Sequence, residues 1–188
     1  MEFLFWYRKA NVGIAKRNSE NNTNTSPVMH YNRFCWFVAV VLLCFNSSIT
    51  AQSFQVKVVK ISDGDTFTAI NRDNLQLKFR IWGIDAPEKK QAFGTKSKEY
   101  LSSLIFDKTI TVDVQKQDGW GRYIAYVFTP DNKDVGTEML TAGMAWQFIE
   151  YDQSEKYRAA ESQARKSKKG LWSDSHRIAP WEFRKKKK

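Results

Sequence analysis

Polar and apolar residues fall into regular alternation from Phe54 onward, and that alternation defines the elements. Val56, Val58 and Ile61 nearly alternate with Lys57 and Lys60, the two-residue period of a strand with one wet face. Asp63-Gly64 is a hairpin turn signal, after which Thr66–Ile70 returns as a second strand. Leu75, Leu77, Phe79 and Ile81 alternate without a break with Gln76, Lys78 and Arg80, so Arg80 lies on the face opposite Phe79 and Ile81. Pro87 ends that segment. Residues 92–106 read as a helix with Tyr100, Leu101, Leu104 and Ile105 on one face. Thr109–Val114 and Tyr123–Phe128 are two further strands, joined by a glycine-containing loop that carries Arg122. A short helix is predicted near Thr137–Ala142, stopping at Gly143. Asp152-Gln153-Ser154-Glu155 reads as a capping box opening a helix to about Lys168, with Gly170 as its stop. Five strands interrupted by a helix, with helices after them, predict an α+β fold built on a small Greek-key barrel.

The region before Phe54 has a different texture. Residues 1–28 include the polar stretch Asn18–Ser26, which cannot bury a core, and are expected to be a disordered or untranslated extension. Phe34–Phe45 is an apolar run of 12 residues, preceded by Arg33 and followed by small and polar residues. A membrane-spanning helix wants about 20 apolar residues, so residues 29–51 read as a signal peptide starting at Met29 and cleaved after Ala51. The location expected is therefore secreted or periplasmic, with no stable membrane association after cleavage. A membrane-tethered form retaining residues 34–45 is the competing reading.

Charge sharpens the division. The formal net charge is +10. Residues 1–51 carry 5 Lys/Arg against 2 acids, residues 52–164 carry 15 against 16, and residues 165–188 carry 10 against 2. The body, 52–174, is thus near neutral through residue 164, and 175–188 is a basic C-terminal tail. Such a tail attracts polyanions over about a Debye length, ~8 Å at physiological salt, without reading their sequence. As a solvated end it would serve solubility instead. Trp172 and Trp181 are expected to pack the C-terminal segment against the body.

Three runs carry the candidate chemistry: Asp63-Gly64-Asp65-Thr66, Arg80-Ile81-Trp82-Gly83-Ile84-Asp85-Ala86-Pro87-Glu88, and Asp118-Gly119-Trp120-Gly121-Arg122. Downstream of residue 51 there is no cysteine, and His176 is the only histidine. That excludes Cys/His zinc sites, thiol nucleophiles and paired-histidine acid–base chemistry. A metal here must be oxygen-bound, which points to calcium or magnesium. Phe67 and Thr68 stand where an EF-hand needs an oxygen ligand and a glycine, so that motif is excluded too. Carboxylates for a hard cation, a spare carboxylate and guanidinium groups are the inventory of a phosphodiester-cleaving site.

In this order and spacing the three runs closely resemble the staphylococcal nuclease family, over roughly residues 54–173. The resemblance implies an OB-fold barrel with three α-helices, a scaffold that often binds nucleic acid. It implies one Ca²⁺ ion held by Asp65, Asp85 and the backbone carbonyl of Ala86, where the archetype has threonine. It assigns Glu88 to orient or deprotonate the attacking water, and Arg80 and Arg122 to clamp the phosphate and stabilise the charge that develops on it. Trp120 stands where the family commonly has tyrosine, and would either stack on a base or cover the barrel rim. Tyr151 matches a position near the nucleotide, with core or rim packing as the alternative. The activity implied is endonucleolytic hydrolysis of DNA and RNA at the 5′ P–O bond, leaving 3′-phosphates, by a monomer. A catalytically silent OB-fold module that only binds nucleic acid is the rival, although such domains typically lose the acidic or arginine positions kept here.

Overall fold

The computed structural model of the protein describes residues 52–186. The expected extension and signal peptide lie outside them. The strands are β1 (Gln52–Ile61), β2 (Thr66–Ile70), β3 (Gln76–Ile81), β4 (Ile84–Asp85), β5 (Thr109–Gln117), β6 (Tyr123–Phe128) and β7 (Trp146–Gln147). The helices are α1 (Gly94–Ile105), α2 (Val135–Thr141), α3 (Glu155–Lys166) and α4 (Pro180–Lys185), with a 3₁₀ turn at Gly170–Ser173.

Five strands close a barrel in the order β1-β2-β3-β6-β5. All pairings are antiparallel except β3 with β6, which run parallel over Phe79–Ile81 and Tyr123–Ala125. The alternation read from the sequence is what fills the barrel. Val56, Val58, Phe67, Phe79, Ile81, Val112 and Val127 point inward and are buried. Phe67 and Phe79, opposite one another across β2 and β3, stack with centroids 5.3 Å apart. The near-alternation in β1 is imperfect because the β1–β2 register shifts between Val58 and Lys60, which turns Val59 outward.

Helix α1 closes one side of the barrel with Leu101 and Ile105. Helices α2 and α3 begin where short polar side chains cap them: Asp134 accepts from the Thr137 N–H, and Ser154 from the Tyr157 N–H. The α3 cap is therefore Ser154, two residues past the expected Asp152. Asp152 instead accepts the Ser154 N–H at 2.7 Å. Helix α3 ends at Lys166, because Lys168 and then Gly170 turn into the left-handed region, with φ of 49° and 54°. A second cluster of Ala164, Leu171 and Trp172, with Phe93 and Trp146, ties the end of α3 to the two-stranded β4–β7 ladder.

The α+β barrel is as expected, with one addition. Four α-helices stand among the described residues where three were expected, the fourth lying in the segment read as tail.

Candidate active site

The turn between β1 and β2 is fixed from both sides. Thr66 O accepts the Ser62 N–H at 2.9 Å, and Asp63 Oδ1 accepts the Asp65 N–H at 3.1 Å, so Asp63 shapes the turn. Gly64 is there because of crowding: a Cβ would lie 1.9 Å from Ser97 Oγ on α1 and 2.7 Å from Ala86 Cβ. The chain can only pass that close to α1 without a side chain.

Asp65 emerges from this turn almost fully buried, 3% exposed. Its Oδ2 accepts the Ala86 N–H at 2.9 Å, and its Oδ1 accepts from Thr66 Oγ1 at 2.9 Å and Arg80 Nη1 at 3.0 Å. The β2–β3 register places Thr66 opposite Arg80, which is why the arginine reaches it. Asp85 ends β4, is held by pairing with Trp146 on β7, and is 1% exposed. Its Oδ1 accepts from Arg80 Nη2 at 2.7 Å. One guanidinium thus bridges two buried carboxylates, one from the β1–β2 turn and one from β4. Burial holds the Asp65 carboxyl above its ordinary range, only partly opposed by Arg80. Burial also opposes the charge on Arg80, but Asp65 and Asp85 more than offset it, and the guanidinium is held more firmly protonated than usual. Glu88 follows after Pro87, its backbone N–H donating to Gln91 Oε1 at 3.0 Å.

Arg122 is organised separately. Its Nε donates to Asp118 Oδ2 at 2.8 Å, while Asp118 Oδ1 accepts the Trp120 and Arg122 N–H groups, both at 2.9 Å. Gly121, with φ 76°, gives the loop the left-handed step that lets one carboxylate collect all three. No hydrogen bond joins Arg122 to Asp65, Asp85 or Glu88. Trp120, at the tip of the loop, is 85% exposed, so it does not cover the barrel rim. Tyr151 stacks on Trp82 at 5.1 Å and meets Phe148 edge-on at 5.0 Å, with Lys116 Nζ 4.0 Å from its ring centroid. It is packed as part of an aromatic group and makes no hydrogen bond to the carboxylates.

Residues 78–174 match the profile of the family described as staphylococcal nuclease homologue. A protein from Escherichia coli described as an uncharacterized endonuclease is 34% identical over 151 residues, 80% of this chain and 98% of the relative. One of the same description from Haemophilus influenzae is 37% identical over 150 residues, 79% of this chain and 84% of the relative. A micrococcal nuclease from Shigella flexneri is 32% identical over 163 residues, 80% and 92% respectively.

The chain belongs to the staphylococcal nuclease family.

The family match contains Arg80, Asp85, Glu88 and Arg122. Asp65 precedes it, and the segment after residue 174 lies beyond it. That last segment holds the residue the sequence reading missed. Helix α4 docks through buried Ala179 and Pro180 and through Trp181, whose ring meets Trp146 at 5.6 Å and Phe148 at 6.1 Å. The packing expected of Trp181 is found. Gln91 Nε2 donates to Ile178 O at 2.6 Å, linking the same segment to the loop after Glu88. Arg184, in the last turn, then donates to both oxygens of Asp85 (Nη1 to Oδ1 3.1 Å, Nη2 to Oδ2 2.7 Å) and from Nη1 to Glu88 Oε1 at 2.8 Å. The residues read as a diffuse basic tail therefore include a folded piece that enters the site. Pro180 after Ala179, the N-terminal proline of a short helix, was the available signal. The lysines that follow it masked that signal.

Proposed function

We propose that this nuclease is a calcium-dependent endonuclease that hydrolyses DNA and RNA at the 5′ P–O bond to leave 3′-phosphates, exported to the periplasm or beyond. Family membership makes it a nuclease acting on nucleic acid. The single observation that carries the finer reading is the Arg80 guanidinium bridging buried Asp65 and Asp85, with Glu88 immediately beyond. Export rests on the short apolar run before the body.

The donor set fits a calcium ion. Asp65 and Asp85 present only oxygen, they are buried, and burial leaves the Asp65 carboxyl short of positive charge despite Arg80. Among the described residues no three acidic, histidine or cysteine side chains converge to hold a metal. A cation would rest on these two carboxylates, the Ala86 carbonyl and water, a loose set that calcium accepts better than magnesium does. When bound it supplies Lewis-acid polarisation of the phosphate.

The protein's own groups do the rest. Arg80 uses one N–H of each terminal nitrogen on the carboxylates and keeps a second on each for a phosphate oxygen. Arg122 spends its Nε on Asp118, and its two terminal nitrogens make no hydrogen bond among the described residues, which leaves a planar fork for the equatorial oxygens. The Glu88 carboxylate takes the proton of a water as its oxygen attacks phosphorus, and the bond to the 5′-oxygen breaks, the released alkoxide taking a proton from solvent water. Trp120 offers an exposed ring for a base to stack on, a contact worth about 1–3 kcal/mol.

The test is degradation of plasmid and RNA with calcium, with magnesium and in chelator, with the ends of the products mapped. Cleavage should require calcium, and Glu88→Gln should lower the rate by at least ~10²-fold with unchanged circular dichroism. Robust cleavage in chelator overturns the calcium reading. Binding without cleavage under every condition identifies the silent OB-fold module instead. Sequencing the N-terminus of the mature protein checks export.

A further inference from the structure

Arg184 occupies the Asp85 oxygens that a cation between Asp65 and Asp85 would need. Both oxygens of Asp85 accept from its fork, and Oδ1 also accepts from Arg80, so a carboxylate 1% exposed already holds three N–H donors. Bidentate guanidinium–carboxylate pairing is among the stronger polar contacts a protein makes. The same guanidinium holds Glu88, the group assigned to receive the water's proton. In this arrangement the metal ligand and the base are both engaged by the chain's own C-terminal helix.

Geometry favours exchange over addition. Both Asp85 oxygens already accept from the Arg184 fork, so a cation on Asp85 would sit against a like charge unless that fork leaves.

The helix is built so that the exchange costs little elsewhere. It is held to the body through Ala179, Pro180 and Trp181, and Phe183 lines the cavity it shares with Pro87 and Phe93. Arg184 sits in the last turn with its side chain 44% exposed, so it can swing into water without opening the core. An arginine stays charged throughout the working pH range, so proton loss offers no way to vacate the site.

We propose that Arg184 is an internal cation that competes with calcium: it latches α4 over Asp85 and Glu88 in the metal-free enzyme and is expelled when calcium binds. The proposal rests on the calcium reading of the site and adds a determinant of its affinity. The enzyme is thereby silenced at low calcium, with its ligand and its base covered by the same side chain, and opened by the ion itself.

The experiment is calcium titration by calorimetry of the full chain and its Arg184→Gln, Arg184→Lys and Asp85→Asn variants, with hydrogen exchange of residues 179–186 with and without calcium. Arg184→Gln should bind calcium roughly 10-fold more tightly, within the span of about 5–150-fold usual for coupled equilibria. Arg184→Lys, a cation without the bidentate fork, should fall between. In the unaltered protein calcium should speed exchange in the last turn of α4. Unchanged or weaker affinity in Arg184→Gln, or an α4 protected further by calcium, overturns the latch. Calcium binding that survives Asp85→Asn overturns the assigned site, and no binding by any form overturns the calcium reading and the latch together.

Discussion

Arg122 is aimed by Asp118. The carboxylate four residues earlier takes the Nε of the arginine at 2.8 Å and the backbone N–H groups of Trp120 and Arg122 at 2.9 Å, so loop and side chain share one anchor. Burial opposes the charge on Asp118, but these hydrogen bonds outweigh it and hold the carboxyl below its ordinary range. As the phosphate clamp proposed above, the arginine would meet a substrate with its orientation already set, which is how a positioned group avoids reorganisation during reaction.

Arg122→Ala should therefore cost at least ~10²-fold in kcat with circular dichroism unchanged. Arg122→Lys should cost nearly as much, since an ammonium cannot bind Asp118 and present a planar fork at once. Asp118→Asn, which keeps the loop but loosens the side chain, should cost less than either. Steady-state kinetics on one oligonucleotide ranks the three. An Asp118→Asn enzyme slower than Arg122→Ala would show that the loop, and not the arginine, carries the effect.

Much of this site was legible because it is local to strands. The break-free alternation of Leu75–Ile81 puts Arg80 on the face of β3 opposite Phe79 and Ile81, where the structure has it bridging Asp65 and Asp85. Short-range signals fixed the rest of the body, with errors of a few residues at helix starts where a cap one or two residues away competed. What could not be read was long-range. Strands β4 and β7, two residues each, are too short to show a period. Arg184 lies 99 residues from Asp85 in sequence, in a run whose composition is that of a solvated end. Docking of the segment, with Trp181 packed on Trp146 next to Asp85 across the β4–β7 ladder, turns that run into part of the site.

Gly64 offers a stability prediction independent of chemistry. A methyl group there meets Ser97 Oγ at 1.9 Å and Ala86 Cβ at 2.7 Å, both in packed surroundings. Gly64→Ala should destabilise the protein by about 1–3 kcal/mol, the usual cost of overpacking. Adding Ser97→Gly removes the closer clash but not the one with Ala86, so it should restore only part of the loss. It also sacrifices the Ser97 hydroxyl's 2.7 Å hydrogen bond to Met144 O. Thermal melts of the single and double variants decide it, and a single variant as stable as the parent would mean that the turn moves freely.

Alkaline pH should find a weak point at Tyr157. Its hydroxyl donates to Asp134 Oδ1 at 3.1 Å, and the residue is 1% exposed. Burial first, then the charge of Asp134, pushes the phenol well above its ordinary value near 10. The unfolded chain releases this proton near pH 10 and the folded chain does not, so the unfolded state binds fewer protons above that pH. Stability is therefore fully present below pH ~10 and falls as pH rises beyond it, by up to about 1.4 kcal/mol per pH unit from this residue. In Tyr157→Phe, Asp134 keeps its bonds to the Thr137 N–H and to Lys156 Nζ, so the fold survives. Urea midpoints for both proteins from about pH 8 to pH 11 should converge as pH rises. Parallel curves would assign the alkaline loss to other groups.

The lysines after Arg184 should act on binding without acting on calcium. Residues 52–164 carry 15 Lys/Arg against 16 acids, so long-range attraction to a polyanion must come mainly from 165–188, where 10 face 2. Arg184 is committed to Asp85 and Glu88, and the densest basic run beside it in the sequence is Lys185–Lys188. Each phosphate neutralised on duplex DNA contributes about 0.9 to the slope of log K against log salt. Replacing all four lysines by glutamine keeps the chain length and leaves Arg184 within its helix, so the slope should fall by a few units while calcium affinity and kcat at saturating substrate stay put. The contrast with Arg184→Gln is the point. That single change should move calcium affinity and hardly touch the salt slope, whereas the four lysine changes should do the reverse. If the lysine variant instead binds calcium more tightly, the latch is electrostatic and spread over the whole C-terminal run, and the bidentate geometry of Arg184 is not what sets it.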